Sequence, residues 1–272
     1  MVTWGMATDA GGNRSTNEDA ALARPPVFVV ADGMGGHARG EMASQTVVAE
    51  LRALAEADAG PIGRADVEAA VGRAADRIRR TMAEGATGSP FDPARDTAGT
   101  TVAGVVRTES DDGAGWLVLN VGDSRVYRYA DDRLEQVSVD HSLVQEMVDA
   151  GELDPAEART HPRRNVITRA IGAVPDSEID FWTLRVTPGE RFLLCTDGLV
   201  GELEDAEIAE VLGAVPDPQE AADALLRRAL DGGANDNVTL VVVDAGDGGA
   251  RAPDLTPDRA GSSDHETPGS AT

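Results

Sequence analysis

The stretch VFVVADGMGGHARG, residues 27–40, joins an apolar strand to a glycine-rich turn. The apolar part ends at Ala31, and the turn opens with the carboxylate of Asp32. A strand that runs into such a turn is typical of a phosphate cradle, in which backbone N–H groups hold the anion. A leading carboxylate repels phosphate, so the stretch raises the question of what Asp32 binds.

Other acidic residues also stand at the ends of apolar runs. Asp123 ends the run LNVGD, Asp197 ends LLCTD, and Asp236 precedes NVTLVVV. Each alone could be an ordinary turn aspartate, because Asp-Gly is a common turn dipeptide. Strand ends in a common layer can converge, however, and the recurrence of the pattern favours one shared cleft.

Carboxylates without histidine or cysteine partners suit a hard divalent cation such as Mg²⁺ or Mn²⁺. Glu18 and Asp19, in the early loop GNRSTNED, add two more acids to the set. A cation between Asp32 and a phosphate would remove their repulsion, and two cations about 3.5–4 Å apart could bridge and activate a water. The glycines let the backbone approach closely enough for the Gly33 carbonyl to serve as a ligand.

The composition excludes several classes of function. A net charge of −24 over 272 residues argues against a nucleic-acid or anionic-membrane partner. All 24 basic residues are arginine, so lysine chemistry such as a Walker A site or a Schiff base is excluded. The single cysteine, Cys195, rules out disulfide frameworks and cysteine zinc sites. The sequence shows neither a signal peptide nor an apolar run long enough for a membrane span, so we expect a cytoplasmic protein.

The chain divides into one predicted globular domain, residues 1–245, and a predicted disordered acidic tail, residues 246–272, which lacks large apolar residues. The strand patterns occur in adjacent pairs more often than they alternate with helix patterns. This arrangement favours stacked, mostly antiparallel sheets with helices outside. The predicted strands cover 27–31, 100–107, 116–122, 125–130, 191–198 and 237–245, and the predicted helices cover 40–58, 65–85, 140–151 and 218–233. Residues 125–138 read as a hairpin with Asp131 and Asp132 near its turn.

These residues, in this order, make the chain resemble the PPM family of metal-dependent protein serine/threonine phosphatases, the PP2C type, and most closely its bacterial branch. The resemblance rests on the motifs RSTNED (14–19), VVADGMGGH (29–37), GTT (99–101), VGDSR (121–125), DHS (140–142), LLCTDGL (193–199) and ANDNVT (234–239). It implies an α+β fold, a four-layer αββα sandwich of two stacked sheets flanked by helices. It also implies a binuclear Mn²⁺ or Mg²⁺ centre at one edge of the paired sheets.

The resemblance assigns the metal ligands residue by residue. Asp32 would bridge the two ions, and the Gly33 carbonyl would bind one of them. Asp197 and Asp236 would hold the first ion, and Glu18 the second, directly or through water.

Further residues take roles around these ligands by the same resemblance. Asp123, with Asp197, would form a weaker third metal site. Arg14 matches the phosphate-binding arginine, whose planar fork suits two phosphate oxygens. Three side chains behind the ligands would support the site: Asp19, His37 and Asn237.

Two features bear on the reaction and on peptide access. Met34 stands where eukaryotic members carry a histidine that is a candidate general acid, and a methionine cannot donate a proton. Residues 140–172 resemble the family's flap, and three of its arginines, Arg163, Arg164 and Arg169, either meet phosphopeptide charge or balance nearby acids.

The expected function is hydrolysis of phosphoserine and phosphothreonine in proteins by direct attack of a water activated by two metal ions. The expected partners are phosphorylated proteins, bacterial Ser/Thr kinases and the substrates of those kinases, and the expected state is a monomer. One alternative is a catalytically inactive pseudophosphatase that binds phosphoproteins; such relatives lose a metal acid or the phosphate arginine, which are present here. Another is a phosphatase of a partner-switching system, although such proteins carry sensor domains for which this chain has no room.

Overall fold

A computed structural model describes residues 1–35, 38–57, 60–85, 98–110, 113–173 and 177–246. Within these residues the strands form two five-stranded sheets and one short two-stranded pair. No helix in this described part is long and apolar enough to cross a membrane. The predicted tail lies outside the described residues from 247 onward.

The elements are named in chain order. The strands are β1 Thr3–Asp9, β2 Ala20–Arg24, β3 Val27–Ala31, β4 Gly33–Met34, β5 Gly99–Thr100, β6 Val102–Ser110, β7 Gly113–Val121, β8 Arg125–Ala130, β9 Arg133–Gln136, β10 Asp180–Arg185, β11 Arg191–Cys195 and β12 Val238–Asp244. The helices are α1 Ala38–Glu56, α2 Arg64–Gly85, α3 Leu143–Asp149, α4 Pro155–Ala158, α5 Asp197–Glu202, α6 Asp205–Ala214 and α7 Pro218–Gly232.

The two large sheets stack face to face with helices on their outer faces. One sheet has the order β1-β12-β11-β8-β9 and the other β10-β7-β6-β3-β2, with antiparallel pairing throughout both. Side chains of both sheets, Phe28, Trp116 and Phe192 among them, form the core between the sheets. Helices α1 and α2 cover the outer face of the second sheet, and α6 and α7 that of the first. The predicted α+β sandwich is confirmed.

Strand β3 shows why its sequence is apolar without interruption. Its residues alternate between two cores: Val27 and Val29 point to the helix-covered face, and Phe28 and Val30 point to the core between the sheets. All five residues of β3 are fully buried. A strand that is covered on both faces needs apolar side chains at every position.

Several predicted elements differ from the observed ones. The strand predicted over 191–198 ends at Cys195, and Asp197 opens helix α5 instead. Strands β1, β2 and β10 and helix α6 were not predicted, because their short, mixed sequences lack a strong apolar period. The hairpin is confirmed: β8 pairs with β9, and Asp131 and Asp132 at its turn have φ of 51° and 57°. Two left-handed residues are what a two-residue hairpin turn requires.

The open edge of β1 is closed by a side chain of α7. The Gln219 amide donates to the Met6 carbonyl (3.0 Å) and accepts from the Met6 N–H (3.0 Å), in the way a neighbouring strand would. Gly5 makes this approach possible, because a Cβ there would collide with backbone atoms of Pro218 and Gln219. The Gln219 amide thus occupies the outward-facing backbone groups of Met6, which another strand could otherwise use for pairing.

We expect Gly5→Ala to destabilise the protein by about 1–3 kcal/mol, because the added Cβ must push α7 away from the sheet. The matched control is Gly72→Ala within α2, where a Cβ would meet no described atom within 4 Å. That change should stabilise the protein by about 0.5–1 kcal/mol, since alanine favours a helix interior over glycine. Urea unfolding of both variants measures the two effects, and equal changes of the same sign would contradict the packing argument.

Candidate metal centre

Asp32 follows β3 directly, and two threonines of the GTT motif fix its backbone. The Asp32 N–H donates to Thr101 Oγ1 (2.9 Å), and its carbonyl accepts from Thr100 Oγ1 (2.8 Å) and from the Thr101 N–H (2.9 Å). Thr101 Oγ1 also shares a hydrogen bond of 2.7 Å with Ser124 Oγ, next to Asp123. The threonines therefore join the loop of Asp32 to the loop of Asp123.

Asn237 fixes the early acidic loop from the other sheet. Its Nδ2 donates to the carbonyls of Ala10 (2.9 Å) and Thr16 (2.9 Å), and its Oδ1 accepts from the Glu18 N–H (2.8 Å). The Glu18 carbonyl accepts a further bond of 2.6 Å from Ser44 Oγ on α1. The supporting position predicted for Asn237 thus corresponds to a buried amide that holds the loop carrying Glu18.

Two glycines bring the backbone against the predicted ligands. Gly33 is buried in β4, where it pairs with Thr100. A Cβ on Gly40, in the first turn of α1, would collide with the carboxylate of Glu18 and would lie 2.7 Å from the Gly33 carbonyl oxygen. No role was predicted for Gly40. The feature of the sequence that points to it is its position as the fourth glycine of the stretch 27–40.

Four aspartates from distant parts of the chain interact electrostatically at one end of the sandwich. Burial, and then the charges of the neighbouring acids, raise the pKa values of Asp32, Asp123 and Asp197 above the ordinary range. Burial is also the main cause that raises the pKa of Asp19 to about 7, against hydrogen bonds from Thr196 and Thr239. The structure thus brings together acids that are more than 170 residues apart in sequence, as the pattern predicted.

The carboxylates are incompletely satisfied by the protein. Among the described residues, one carboxylate oxygen of each of Asp19, Asp123 and Asp197 is buried without a hydrogen-bond partner. Buried, unpartnered carboxylate oxygens are costly. Divalent cations with oxygen ligands would satisfy these atoms, so the residues fit the metal that the sequence predicts.

The donors are spread rather than gathered into a closed cage. No three acidic, histidine or cysteine side chains of the described residues already meet in a metal-binding arrangement. Mg²⁺ and ions like it keep several waters and take only one or two protein carboxylates each. An open cluster completed by water and by the Gly33 carbonyl is compatible with this coordination preference.

Asp236 and Arg14 lie at the rim of the cluster and contact each other. Arg14 Nη2 donates to Asp236 Oδ2 at 2.8 Å, and the Arg14 side chain is 51% exposed. The other oxygen of Asp236 accepts from the Asn237 N–H (2.8 Å). The predicted phosphate-binding arginine therefore stands directly beside a predicted metal ligand, with about half of its side chain exposed to solvent.

Other predicted residues fall at or outside this cluster. His37 lies outside the described residues, and Met34 lies in β4, where it pairs with Gly99. The flap arginines diverge: Arg169 donates to Asp180 (2.9 Å), and Arg163 contacts the sulfur of Met147 (3.7 Å). For Arg169, the alternative that it balances a nearby acid fits the structure.

A cavity of about 390 Å³ lies elsewhere, between α2 and the residues that lead into β10. Arg64, Val71, Ile171 and Phe181 are among its lining residues. None of the predicted metal ligands lines it in the described part of the chain. The cavity is therefore distinct from the carboxylate cluster.

Comparison with known proteins agrees with the carboxylate cluster and its framework. A family model for protein phosphatase 2C matches residues 12–231. The chain belongs to the protein phosphatase 2C family.

Two curated relatives illustrate the family. The serine/threonine protein phosphatase PstP of Mycobacterium tuberculosis is 36% identical over 247 residues, which are 91% of this chain and 46% of PstP. The chain thus spans about half the length of that relative. The serine/threonine phosphatase stp of Listeria innocua is 31% identical over 242 residues, which are 87% of this chain and 93% of stp.

A solved structure of the family also superposes on this fold. The catalytic domain of the serine/threonine protein phosphatase PstP, in complex with two manganese ions, matches with a TM-score of 0.78 at 34% identity. The match covers 89% of this chain and 97% of the solved one. The family membership agrees with the resemblance that the motifs indicated.

Asp19→Asn tests whether ionisation of the buried Asp19 carboxyl destabilises the folded protein. With a pKa raised from 3.8 to about 7, Asp19 keeps a proton in the folded, metal-free protein that the unfolded chain has already released. The free energy of unfolding therefore falls as the pH rises from 3.8 to about 7, between the pKa values of Asp19 in the unfolded and the folded protein. In EDTA at pH 8, we expect the variant to be more stable than the unaltered protein by about 2–4 kcal/mol, with the difference shrinking towards pH 5. Urea unfolding across this range measures it, and a difference independent of pH would contradict the assignment.

Proposed function

We propose that this chain is a protein serine/threonine phosphatase that hydrolyses phosphoserine and phosphothreonine with divalent cations bound at the carboxylate cluster. The observation that carries the proposal is the set of buried carboxylate oxygens without partners, on Asp19, Asp123 and Asp197, beside an exposed arginine. A cluster of acids repels a phosphate unless cations stand between them. The named activities of the family members, serine/threonine phosphatases, supply the substrate class.

The proposed cations are two Mn²⁺ or Mg²⁺ ions, with a weaker third, and the manganese-bound PstP catalytic domain supports this choice. Asp32 and the Gly33 carbonyl, with Asp197, Asp236 and Glu18, would hold the two ions, and Asp123 would contribute to the third. When bound, such ions lower the pKa of water and neutralise phosphate charge. These assignments follow the family resemblance, and the electrostatic coupling of Asp32, Asp123 and Asp197 supports them.

The chain's own residues would bind and orient the phosphate ester. The exposed guanidinium of Arg14 is free to donate to phosphate oxygens on the side facing solvent, and a charge-assisted fork of this kind fixes a tetrahedral anion. Asp236 holds Arg14 in place before the substrate arrives. Water attacks phosphorus directly, the ester P–O bond breaks, and serine or threonine leaves with a proton while inorganic phosphate remains. Met34 cannot supply that proton.

The proposed partners are phosphorylated proteins, including the Ser/Thr kinases that the enzyme would oppose and their substrates. A monomer suffices for this function, because every proposed site residue comes from one chain. The alternative, a pseudophosphatase, predicts a folded, metal-binding protein that turns over no substrate.

Hydrolysis of p-nitrophenyl phosphate and of a phosphothreonine peptide should require Mn²⁺, stop in EDTA, and fall to background in Asp197→Asn. The reason is that this change removes the charge of a buried carboxylate at the centre of the cluster. Circular dichroism confirms that the variant folds. No turnover by folded protein with Mn²⁺ bound would overturn the enzyme assignment and favour a phosphoprotein-binding module.

Arg14→Ala should reduce kcat/KM by roughly 10–100-fold, the cost of losing a hydrogen bond between charged groups, while Mn²⁺ binding is maintained. The matched control is Arg73→Ala, which breaks an exposed ion pair with Glu50 on the outer helices (2.9 Å) and should leave both quantities unchanged. Steady-state kinetics with a phosphothreonine peptide measures the effect. Equal losses in the two variants would show that Arg14 does not bind phosphate.

A further inference from the structure

The turn at Gly122 and Asp123 is held on both sides by one histidine. The Gly122 N–H donates to His141 Nδ1 (3.1 Å), and the Gly122 carbonyl accepts from the His141 N–H (2.9 Å). Gly122 has a φ of 101°, which favours glycine, and a Cβ there would crowd Thr101. His141 therefore fixes the peptide groups before and after Gly122, the residue that precedes the buried Asp123.

The hydrogen bonds determine which nitrogen of His141 carries the proton. A backbone N–H can only donate, so Nδ1 must present its lone pair to Gly122. The proton then resides on Nε2, which faces Asp180 Oδ2 at 3.1 Å and donates to it. Arg169 Nη1 also lies 3.3 Å from Nε2, but both groups are then donors, and Arg169 Nη1 donates to Asp180 Oδ1 at 2.9 Å instead. The ring has no freedom to flip without losing both bonds, and the His141 side chain is only 5% exposed.

Asp180, the first residue of β10, is in turn held from the far end of the flap. Arg169 Nη1 donates to Asp180 Oδ1 (2.9 Å), so each carboxylate oxygen has its own donor. The hydrogen bond from His141 is the largest cause that holds the pKa of Asp180 below its usual range, and the Arg169 guanidinium contributes to the same effect. Asp180 thus joins the beginning and the end of the flap, residues 140–172, to the second sheet.

We infer that His141 is a positioning residue for Asp123, and that Asp180 with Arg169 fixes the His141 tautomer that this role requires. The inference rests on the proposed function, because it takes Asp123 as a metal ligand. His141 keeps the Gly122–Asp123 turn in the one conformation that presents the Asp123 carboxylate to the cluster. Partners that orient a ligand in this way are typically worth about 10–100-fold in metal affinity.

The tautomer is tested without metal or substrate. Long-range ¹H–¹⁵N NMR of the metal-free protein resolves the histidine rings, of which the chain has four, and His141→Asn assigns the signal. We expect the Nε2–H tautomer for His141, and a mixture of tautomers in Asp180→Ala. An Nδ1–H tautomer in the unaltered protein would overturn the inference.

The positioning role is tested by Mn²⁺ titration, with free Mn²⁺ measured by electron paramagnetic resonance. His141→Ala should weaken by about 10-fold or more the same binding phase that Asp123→Asn removes. His141→Asn should stay within about 3-fold of the unaltered protein, because the amide Oδ1 can replace Nδ1 as the acceptor for Gly122. The control is His161→Ala. Within the described part of the chain, the His161 ring accepts from the nearby Arg163 N–H (3.2 Å) and has no bond to the Gly122–Asp123 turn, so this change should leave Mn²⁺ binding unaltered.

The outcomes separate the two proposals. If the unaltered protein binds no Mn²⁺, the proposed function fails. If it binds Mn²⁺ and His141→Ala binds it equally well, the positioning role fails while the function stands. Should His141→Ala not fold, Asp180→Ala decides the matter, since we expect it to weaken the same phase by about 3-fold or more, and no change there would overturn the inference.

Discussion

The structure depends on keeping several like-charged carboxylates together at one end of the sandwich. Burial and the charges of neighbouring acids destabilise the ionised forms of four aspartates and raise their pKa values: Asp19, Asp32, Asp123 and Asp197. The surrounding hydrogen bonds fix backbone atoms of these loops more than the carboxylate oxygens, several of which have no donor among the described residues. The fold therefore holds the acids in place without providing a partner for every carboxylate oxygen, and binding of a cation would return part of the free energy that this arrangement costs.

The cluster exists only because two sheets stack. Asp32 and Asp123 follow strands of the second sheet, whereas Asp197 and Asp236 adjoin strands of the first. The core between the sheets, with the Trp116 and Phe192 rings in edge contact at 5.3 Å, fixes how the strand ends face each other. Packing far from the reacting atoms thereby sets the distances between the ligands, so substitutions in this core act on the site as well as on stability.

Much of the site could be predicted from the sequence because its signals are local. A strand end followed by aspartate and glycine can be recognised within a few residues. The order of the motifs along the chain then indicated the family. The contacts of the supporting residues could not be predicted, because they join distant parts of the chain. Asn237, which was predicted as a support, reaches back to Ala10, and Asp180, which was not predicted, holds His141 across the flap. Strands that are buried on both faces, such as β3, were predicted. Strand β1 was missed because it lies at an edge, where the small buried residues Gly5 and Ala7 alternate with the exposed Trp4 and Met6.

The predicted flap, residues 140–172, is anchored at both ends to the loops that carry the carboxylate cluster. Its beginning is tied through His141 to the turn before Asp123, and Ile171 at its end pairs with Thr100, whose hydroxyl bonds to the Asp32 carbonyl. Between these anchors lies the short helix α4, none of whose residues is buried. Because the anchored ends carry the contacts to the loops of Asp32 and Asp123, we expect the middle of the flap to tolerate changes of sequence and shape without moving the proposed ligands. Under the proposed function, substrate preference would then change independently of the metal site.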